Sequence, residues 1–166
     1  ETLHYVDIFR YSMSLGDQEV PQGLIESAAG RIEAEGLRAN RENYIVVQPL
    51  TSDPKKNWGF ERFRAALAYF AGSGEPVTVF VLGSESERAQ VDGLVADLRT
   101  AHVVAESAVC SLGGAFSLLK GARACLTGDT SIKHLAAAAR TPLVEISIGA
   151  SDHQRTGAYL HDAVVL

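Results

Sequence analysis

Five short, continuous apolar runs recur along this chain, each followed by a polar or glycine-bearing loop and then a stretch with helical spacing. Few folds accept that alternation. A strand apolar at consecutive positions is covered on both faces, and repeated strand–helix units build a parallel sheet with right-handed crossovers. The spacing predicts strands over 44–48, 77–82, 102–105, 124–127 and 143–147. It predicts helices over 60–71, 85–98, 112–121 and 131–140. The fold class expected is α/β, a doubly wound parallel sheet.

Residues 1–40 read differently. Tyr5, Ile8, Phe9, Ser12 and Met13 suggest a short helix that Gly16 ends. Pro21 suits the first turn of a second helix, with Leu24, Ile25, Ala28, Ala29 and Ile32 as an apolar stripe and Gly36 and Asn40 closing it. This opening has the character of a connector leading into a domain over 41–166. The first residue is Glu1 rather than methionine, as in a processed or excised piece.

A chain of 166 residues, 46% hydrophobic, suits one ordinary core. The net charge of −5, with no basic run longer than Lys55-Lys56, argues against nucleic acid as a partner. No apolar run approaches the ~20 residues of a membrane-spanning helix, and no signal-peptide pattern opens the chain. Cys110 and Cys125 make neither a disulfide framework nor a metal site, and no metal is expected. Their use fits a reducing compartment, so a cytoplasmic location is expected.

Ligands of doubly wound sheets bind beyond the carboxyl ends of the strands. The residues there are Thr51, Ser52, Lys55 and Lys56; Gly83, Ser84 and Glu85; Ser107, Cys110 and Ser111; Asp129, Thr130 and Ser131; and Gly149, Ser151 and Asp152. The fourth loop is the most telling, because a buried strand runs through Asp129-Thr130-Ser131 into an alanine-rich helix. Loop amides and the positive end of a helix favour an anion there.

Each candidate also has a plain structural reading. Lys55 and Lys56 meet a diphosphate as point charges, with Thr51 or Ser52 donating, or they are a solvated loop pair. Glu85 accepts from two vicinal ribose hydroxyls, or it complements a helix dipole. Asp129, Thr130 and Ser131 line an anion site, cap a helix, or do both. His134, in a first helical turn, is disfavoured in its charged form and hydrogen-bonds a phosphate or a loop carbonyl. Trp58 packs the following helix onto the sheet, or it stacks on a base. The Walker-type and Gly-x-Gly-x-x-Gly phosphate loops are absent.

Five of these stretches, in order, resemble the C-terminal half of glycosyltransferase family 9, the ADP-heptose:lipopolysaccharide heptosyltransferases. They are Lys56-Asn57-Trp58, Gly83-Ser84-Glu85, Ser111-Leu112, the stretch from Asp129 to Ala138, and Gly149 with Asp152, Arg155, Thr156, Gly157 and Tyr159. The similarity covers about 41–166, and the opening helices resemble the interdomain connector. Ser131 stands where the family signature has glycine, and Lys133 adds a positive charge beside it. Gly149-Ala150-Ser151-Asp152 replaces the usual Gly-Pro-Thr-Asp.

The resemblance implies one Rossmann-like half of a GT-B enzyme, holding a nucleotide sugar as substrate with no cofactor and no metal. It assigns Lys56 (or Lys55, since the first loop carries an extra residue) and Thr51 to the diphosphate and Glu85 to the ribose. Backbone around Cys110 and Ser111 lines adenine, Asp129 faces the sugar, and Thr130, Ser131 and His134 form the anion-facing helix start. Inverting transfer to a glycan or lipopolysaccharide-core acceptor then needs a base on an N-terminal domain. The piece alone is expected to be inactive and to stop before the helices that complete the fold. The full enzyme is expected in the cytoplasm, at the inner face of the bacterial inner membrane. The alternatives are a noncatalytic nucleotide or sugar-phosphate binding module of the same fold, and a structural α/β interaction domain.

Overall fold

The computed structural model of the chain describes residues 5–13, 24–74, 76–149, 152–158 and 163–166. Expectations placed on Gly16, Pro21, Ala150, Ser151 and Tyr159 lie outside the described residues. In chain order the elements are α1 (Tyr5–Ser12), α2 (Ala28–Arg38), β1 (Tyr44–Gln48), α3 (Phe60–Gly72), β2 (Thr78–Gly83), α4 (Arg88–Thr100) and β3 (Ala105–Val109). Then follow α5 (Leu112–Lys120), β4 (Cys125–Gly128), α6 (Ser131–Ala138), β5 (Leu143–Ile146), α7 (His153–Thr156) and β6 (Ala163–Val165). Two 3₁₀ turns, Pro54–Lys56 and Glu85–Glu87, interrupt the loops.

The strands form one six-stranded sheet in the order β3-β2-β1-β4-β5-β6, parallel at every pairing. That is the strand order of a Rossmann-like sheet, and it reverses between β1 and β4. The continuous apolar runs have the expected cause: every residue of β1 and β2 is buried. Ile45, Val47, Val79 and Val81 meet Phe63, Leu67, Leu94 and Leu98 from α3 and α4 on one face. Tyr44, Val46, Phe80, Leu82 and Cys125 meet Leu118 and Leu119 of α5 and Ala136 of α6 on the other. Each such large apolar side chain contributes about 1.5–3 kcal/mol on burial. Tyr44 also satisfies its hydroxyl, donating to the Leu118 carbonyl at 2.7 Å.

Three expectations need correction. β3 begins at Ala105, not at 102. His102 takes φ 60°, and the amide of Val103 returns to the Leu98 carbonyl while that of His102 returns to Arg99. This is a left-handed helix stop, and the apolar run over 103–105 partly reports its hydrophobic contact. The stripe expected on α2 is also misplaced: Ile25 is 97% and Ile32 67% exposed, whereas Gly30 and Ala34 are buried. The cause is a close backbone approach, since a Cβ on Gly30 would lie 2.5 Å from the Gly113 carbonyl carbon of α5. Glycine on each helix decided that packing, and apolar spacing did not. Finally, β6 extends the sheet past β5, with the Leu166 amide donating to Glu145 and the Ser147 amide to Leu166.

Candidate functional site

A cavity of about 300 Å³ opens at the carboxyl ends of β1, β2 and β4, where the strand order reverses. Leu82, Ala115 and Ile132 line it with Gln48; Thr51, Ser84, Glu87, Cys110, Ser111, Asp129, Thr130 and Ser131 supply polar groups. Two helices start at its rim. Ser111 caps α5 by accepting from Gly114 N at 3.1 Å, and Thr130 caps α6 by accepting from Ile132 N at 3.1 Å. The positive end of α6 favours an anion there, whereas that of α5 already meets a carboxylate, with Glu33 accepting the Ser111 amide at 3.0 Å and the Ser111 hydroxyl at 2.5 Å.

The first loop is preorganised by its own side chains. Asn57 accepts from the Thr51 amide at 2.8 Å, and the Thr51 hydroxyl donates to the Asp53 carbonyl at 2.5 Å. Asp53 caps the 3₁₀ turn through the Lys55 amide at 3.0 Å. That turn sends the Lys56 ammonium to Asp129 Oδ2 at 2.6 Å, and this hydrogen bond raises the Lys56 pKa above its ordinary value. Lys55 is exposed and Trp58 packs edge-to-face on Phe63, with ring centroids 5.1 Å apart. The structural reading of Trp58 holds.

Asp129 receives a second ammonium. Lys133, 1% exposed, donates from α6 to Asp129 Oδ1 and also to Glu145 Oε1 on β5 at 2.9 Å. Glu145 Oε2 accepts the Ala158 amide at 3.3 Å. Lys56, Asp129, Lys133 and Glu145 therefore form one chain of alternating charge from the hollow into the interior.

Of the residues singled out from sequence, Thr51, Ser52, Gly83, Ser84, Cys110, Ser111, Asp129, Thr130 and Ser131 share the hollow's lining, and Lys56 joins them through Asp129. Lys55 and Glu85 do not line it. His134 is exposed on α6 and does not line it either. Glu85 is 76% exposed and held by Arg88 through two contacts of 2.7 Å, which lower its pKa. Glu87 lines the hollow in its place, and its Oε2 accepts the Ser84 amide at 2.7 Å and the Ser84 hydroxyl at 2.6 Å. Ser84-x-x-Glu87 is a capping-box spacing, so the sequence carried a signal for Glu87. Burial pushes the Cys110 thiol up to about 12, reinforced by Glu33. Cys125, the first residue of β4 and fully buried, is likewise pushed up to about 12 by burial.

Gln48 is the residue that sequence reasoning missed most completely. It ends β1, is 7% exposed, and donates from Nε2 to the Leu50 carbonyl at 3.0 Å. That bond fixes the amide orientation and leaves the buried Oε1 with no partner among the described residues. An unfilled acceptor in the lining of a hollow calls for an N–H or O–H from a ligand or solvent. A polar residue closing an otherwise apolar strand was its only signal.

Gly83 shapes the same rim, since a Cβ there would lie 2.5 Å from Val91 Cγ2. Among the described residues no group of three or more His, Cys, Asp or Glu side chains is placed to hold a metal ion. Nor is any described helix long and apolar enough to cross a membrane.

The family model for glycosyltransferase family 9 (heptosyltransferase) matches residues 3–166. Lipopolysaccharide heptosyltransferase 1 of Pseudomonas aeruginosa is 40% identical over 116 residues, 70% of this chain and 31% of that protein. Lipopolysaccharide heptosyltransferase 3 of Escherichia coli is 27% identical over 112 residues, 68% of this chain and 33% of that protein. Among solved structures, a glycosyltransferase family 9 protein of Veillonella parvula superposes with a TM-score of 0.79 at 21% identity, covering 100% of this chain and 49% of its own. The Escherichia coli heptosyltransferase WaaC, solved with ADP, superposes with a TM-score of 0.71 at 25% identity, covering 99% of this chain and 50% of its own. The chain thus spans about a third of the curated relatives and about half of the solved ones. With a parallel Rossmann-like sheet and a match over nearly its whole length, this chain belongs to glycosyltransferase family 9, the heptosyltransferases.

Proposed function

We propose that residues 41–166 form the C-terminal, donor-binding half of an inverting, metal-independent glycosyltransferase, with residues 1–40 as the interdomain connector. The donor is a nucleoside diphosphate sugar, ADP-heptose in the first instance, and the acceptor is a lipopolysaccharide-core glycan. The observation that carries this reading is the hollow where the strand order reverses, into which α5 and α6 both start. A relative of the same fold was solved with ADP.

In this reading the diphosphate lies against Thr51, the start of α6 and Lys56, with the Ser131 amide facing it, since the Thr130 amide donates to the Gly128 carbonyl at 2.9 Å. Adenine lies along the Cys110–Ser111 backbone. Glu87 rather than Glu85 takes the ribose hydroxyls, because Glu87 lines the hollow and Glu85 is turned to Arg88. Gln48 Oε1 accepts from a hydroxyl or amine of the nucleoside, since a phosphate has no proton to offer it. Asp129 faces the donor sugar.

The chemistry is displacement at the anomeric carbon. An acceptor oxygen bonds to that carbon as the bond to the diphosphate oxygen breaks. The acceptor proton goes to a base on the other domain, and the charge gained by the leaving diphosphate is met by Lys56 and the α6 start. The enzyme works in the cytoplasm, peripherally at the inner face of the inner membrane, where its acceptor is presented. This chain alone turns nothing over.

Calorimetry with ADP, UDP and ADP-sugars tests the reading. Micromolar to millimolar ADP binding, abolished by Lys56→Ala with Glu87→Ala, supports it. Failure of every nucleotide to bind contradicts it and favours a structural domain.

A further inference from the structure

Two ammonium groups hold one carboxylate at the rim of the hollow, and they differ in every other respect. Lys56 extends from a 3₁₀ turn in a surface loop, and its side chain is 26% exposed. Lys133 is inside the domain, 1% exposed, between Asp129 and a Glu145 that is equally buried. Such a buried lysine and carboxylate give little net stability, because desolvation offsets their attraction. Their placement calls for another account.

The conflict lies at Asp129. A diphosphate in the hollow draws Lys56 toward itself, since an ammonium pairs more strongly with a multiply charged phosphate than with one carboxylate. Asp129 then loses its outer counter-ion while an anion arrives beside it. Like charges side by side in a partly desolvated site repel strongly. An ammonium that stays with Asp129 removes the difficulty.

Resting on the donor-binding reading above, we propose that Lys133 is a positioning residue for the donor diphosphate. Anchored by Glu145, it keeps Asp129 fixed and neutralised while Lys56 transfers to the phosphate. Lys56 is the mobile member of the cluster and Lys133 the stationary one. Glu145 serves a second purpose, because its other oxygen holds the Ala158 amide and so ties the segment after α7 to the same cluster. No proton moves and no bond is made: the exchange is of ion-pair partners only.

The test compares ADP with adenosine, which shares the base and ribose but has no phosphate. Lys133→Gln with Glu145→Gln removes both buried charges and keeps hydrogen-bonding groups of similar size. Titrated by calorimetry, this variant is expected to bind ADP at least about tenfold more weakly than the unsubstituted chain, with adenosine binding unchanged. Adding Asp129→Asn is expected to restore ADP affinity to within about threefold, because the repelling carboxylate is then gone. A structural role for Lys133 predicts no such rescue.

Unchanged ADP affinity in the charge-free variant overturns the proposal, as does equal loss of ADP and adenosine or absence of rescue. If the glutamine pair lowers the melting temperature too far to titrate, Lys133→Met with Glu145→Met, an apolar pair of similar volume, replaces it with the same expected outcomes. Should the unsubstituted chain bind no ADP, the donor reading itself fails and this inference goes with it. Those results separate cleanly.

Discussion

The ammonium of Lys56 lies 2.6 Å from a carboxylate oxygen of Asp129, across 73 residues of chain. The contact joins the loop after β1 to the loop after β4, the two strands flanking the point where the sheet order reverses. It therefore closes the rim at the place where such sheets hold ligands.

Replacing Lys56 separates binding from stability. The pair is part-exposed, so Lys56→Met is expected to change the unfolding free energy by no more than about 1 kcal/mol. A charge-assisted contact to phosphate contributes about 1.5–3 kcal/mol, so ADP affinity is expected to fall roughly tenfold or more. Denaturant melts and calorimetry on the same preparation check both halves.

The two glutamates of the second loop give a direct contrast. Glu87→Gln is expected to weaken ADP and adenosine alike, since the ribose is common to both. Glu85→Gln is expected to leave both unchanged, because its carboxylate is committed to Arg88 at the surface. Equal effects from the two substitutions would contradict the assignment.

Gln48 is expected to matter to the nucleoside and not to the fold. Gln48→Leu removes a buried acceptor without a partner among the described residues but takes the donor from the Leu50 carbonyl, two effects of opposite sign and about 1–3 kcal/mol each. Its melting temperature is expected to stay close to that of the unsubstituted chain. Adenosine affinity is expected to fall while that for inorganic pyrophosphate holds.

Helix α2 offers opposite outcomes for one kind of change. Glycine to alanine inside an exposed helix ordinarily stabilises by about 0.5–1 kcal/mol. Among the described residues a Cβ added at Gly36 would meet nothing within 4 Å, so Gly36→Ala is expected to raise the melting temperature. One added at Gly30 would meet the Gly113 backbone at 2.5 Å, so Gly30→Ala is expected to lower stability by about 1–3 kcal/mol. Thermal melts of both variants decide it.

Alkaline pH is expected to unfold the chain by two routes of the same sign. Folding raises the thiols of Cys110 and Cys125 from 9.0 to about 12, so stability present below 9.0 is lost as the pH climbs toward that value. Lys56, raised above 10.5 by Asp129, contributes stability that is lost as the pH passes through its elevated value. Both thiols are expected to resist iodoacetamide in the native chain at mildly alkaline pH and to react fully in urea, as read by mass.

Fold class and four of the five expected strands were legible because buried parallel strands write themselves as continuous apolar runs. β3 was not, since Val103 serves a helix stop and the strand itself carries Glu106 and Ser107 near the sheet edge. The face of α2 was misread because two glycines leave no hydrophobic mark. At the site, loop position identified Thr51, Ser111 and Asp129 to Ser131, but which side chain turns inward depends on local pairing. Arg88 takes Glu85 outward, and Ser84 holds Glu87 at the rim. Lys133 read as an added charge beside the anion site; only its contact with Glu145, 12 residues on, reveals a buried pair.

The most direct test of the donor site is an amide chemical-shift titration of the whole chain with ADP. The expected result is a saturable set of shifts at Thr51, Ser84, Glu87, Ser111, Thr130 and Ser131, around one hollow. Shifts scattered away from the carboxyl ends of β1, β2 and β4, or no shifts at millimolar ADP, would contradict the account.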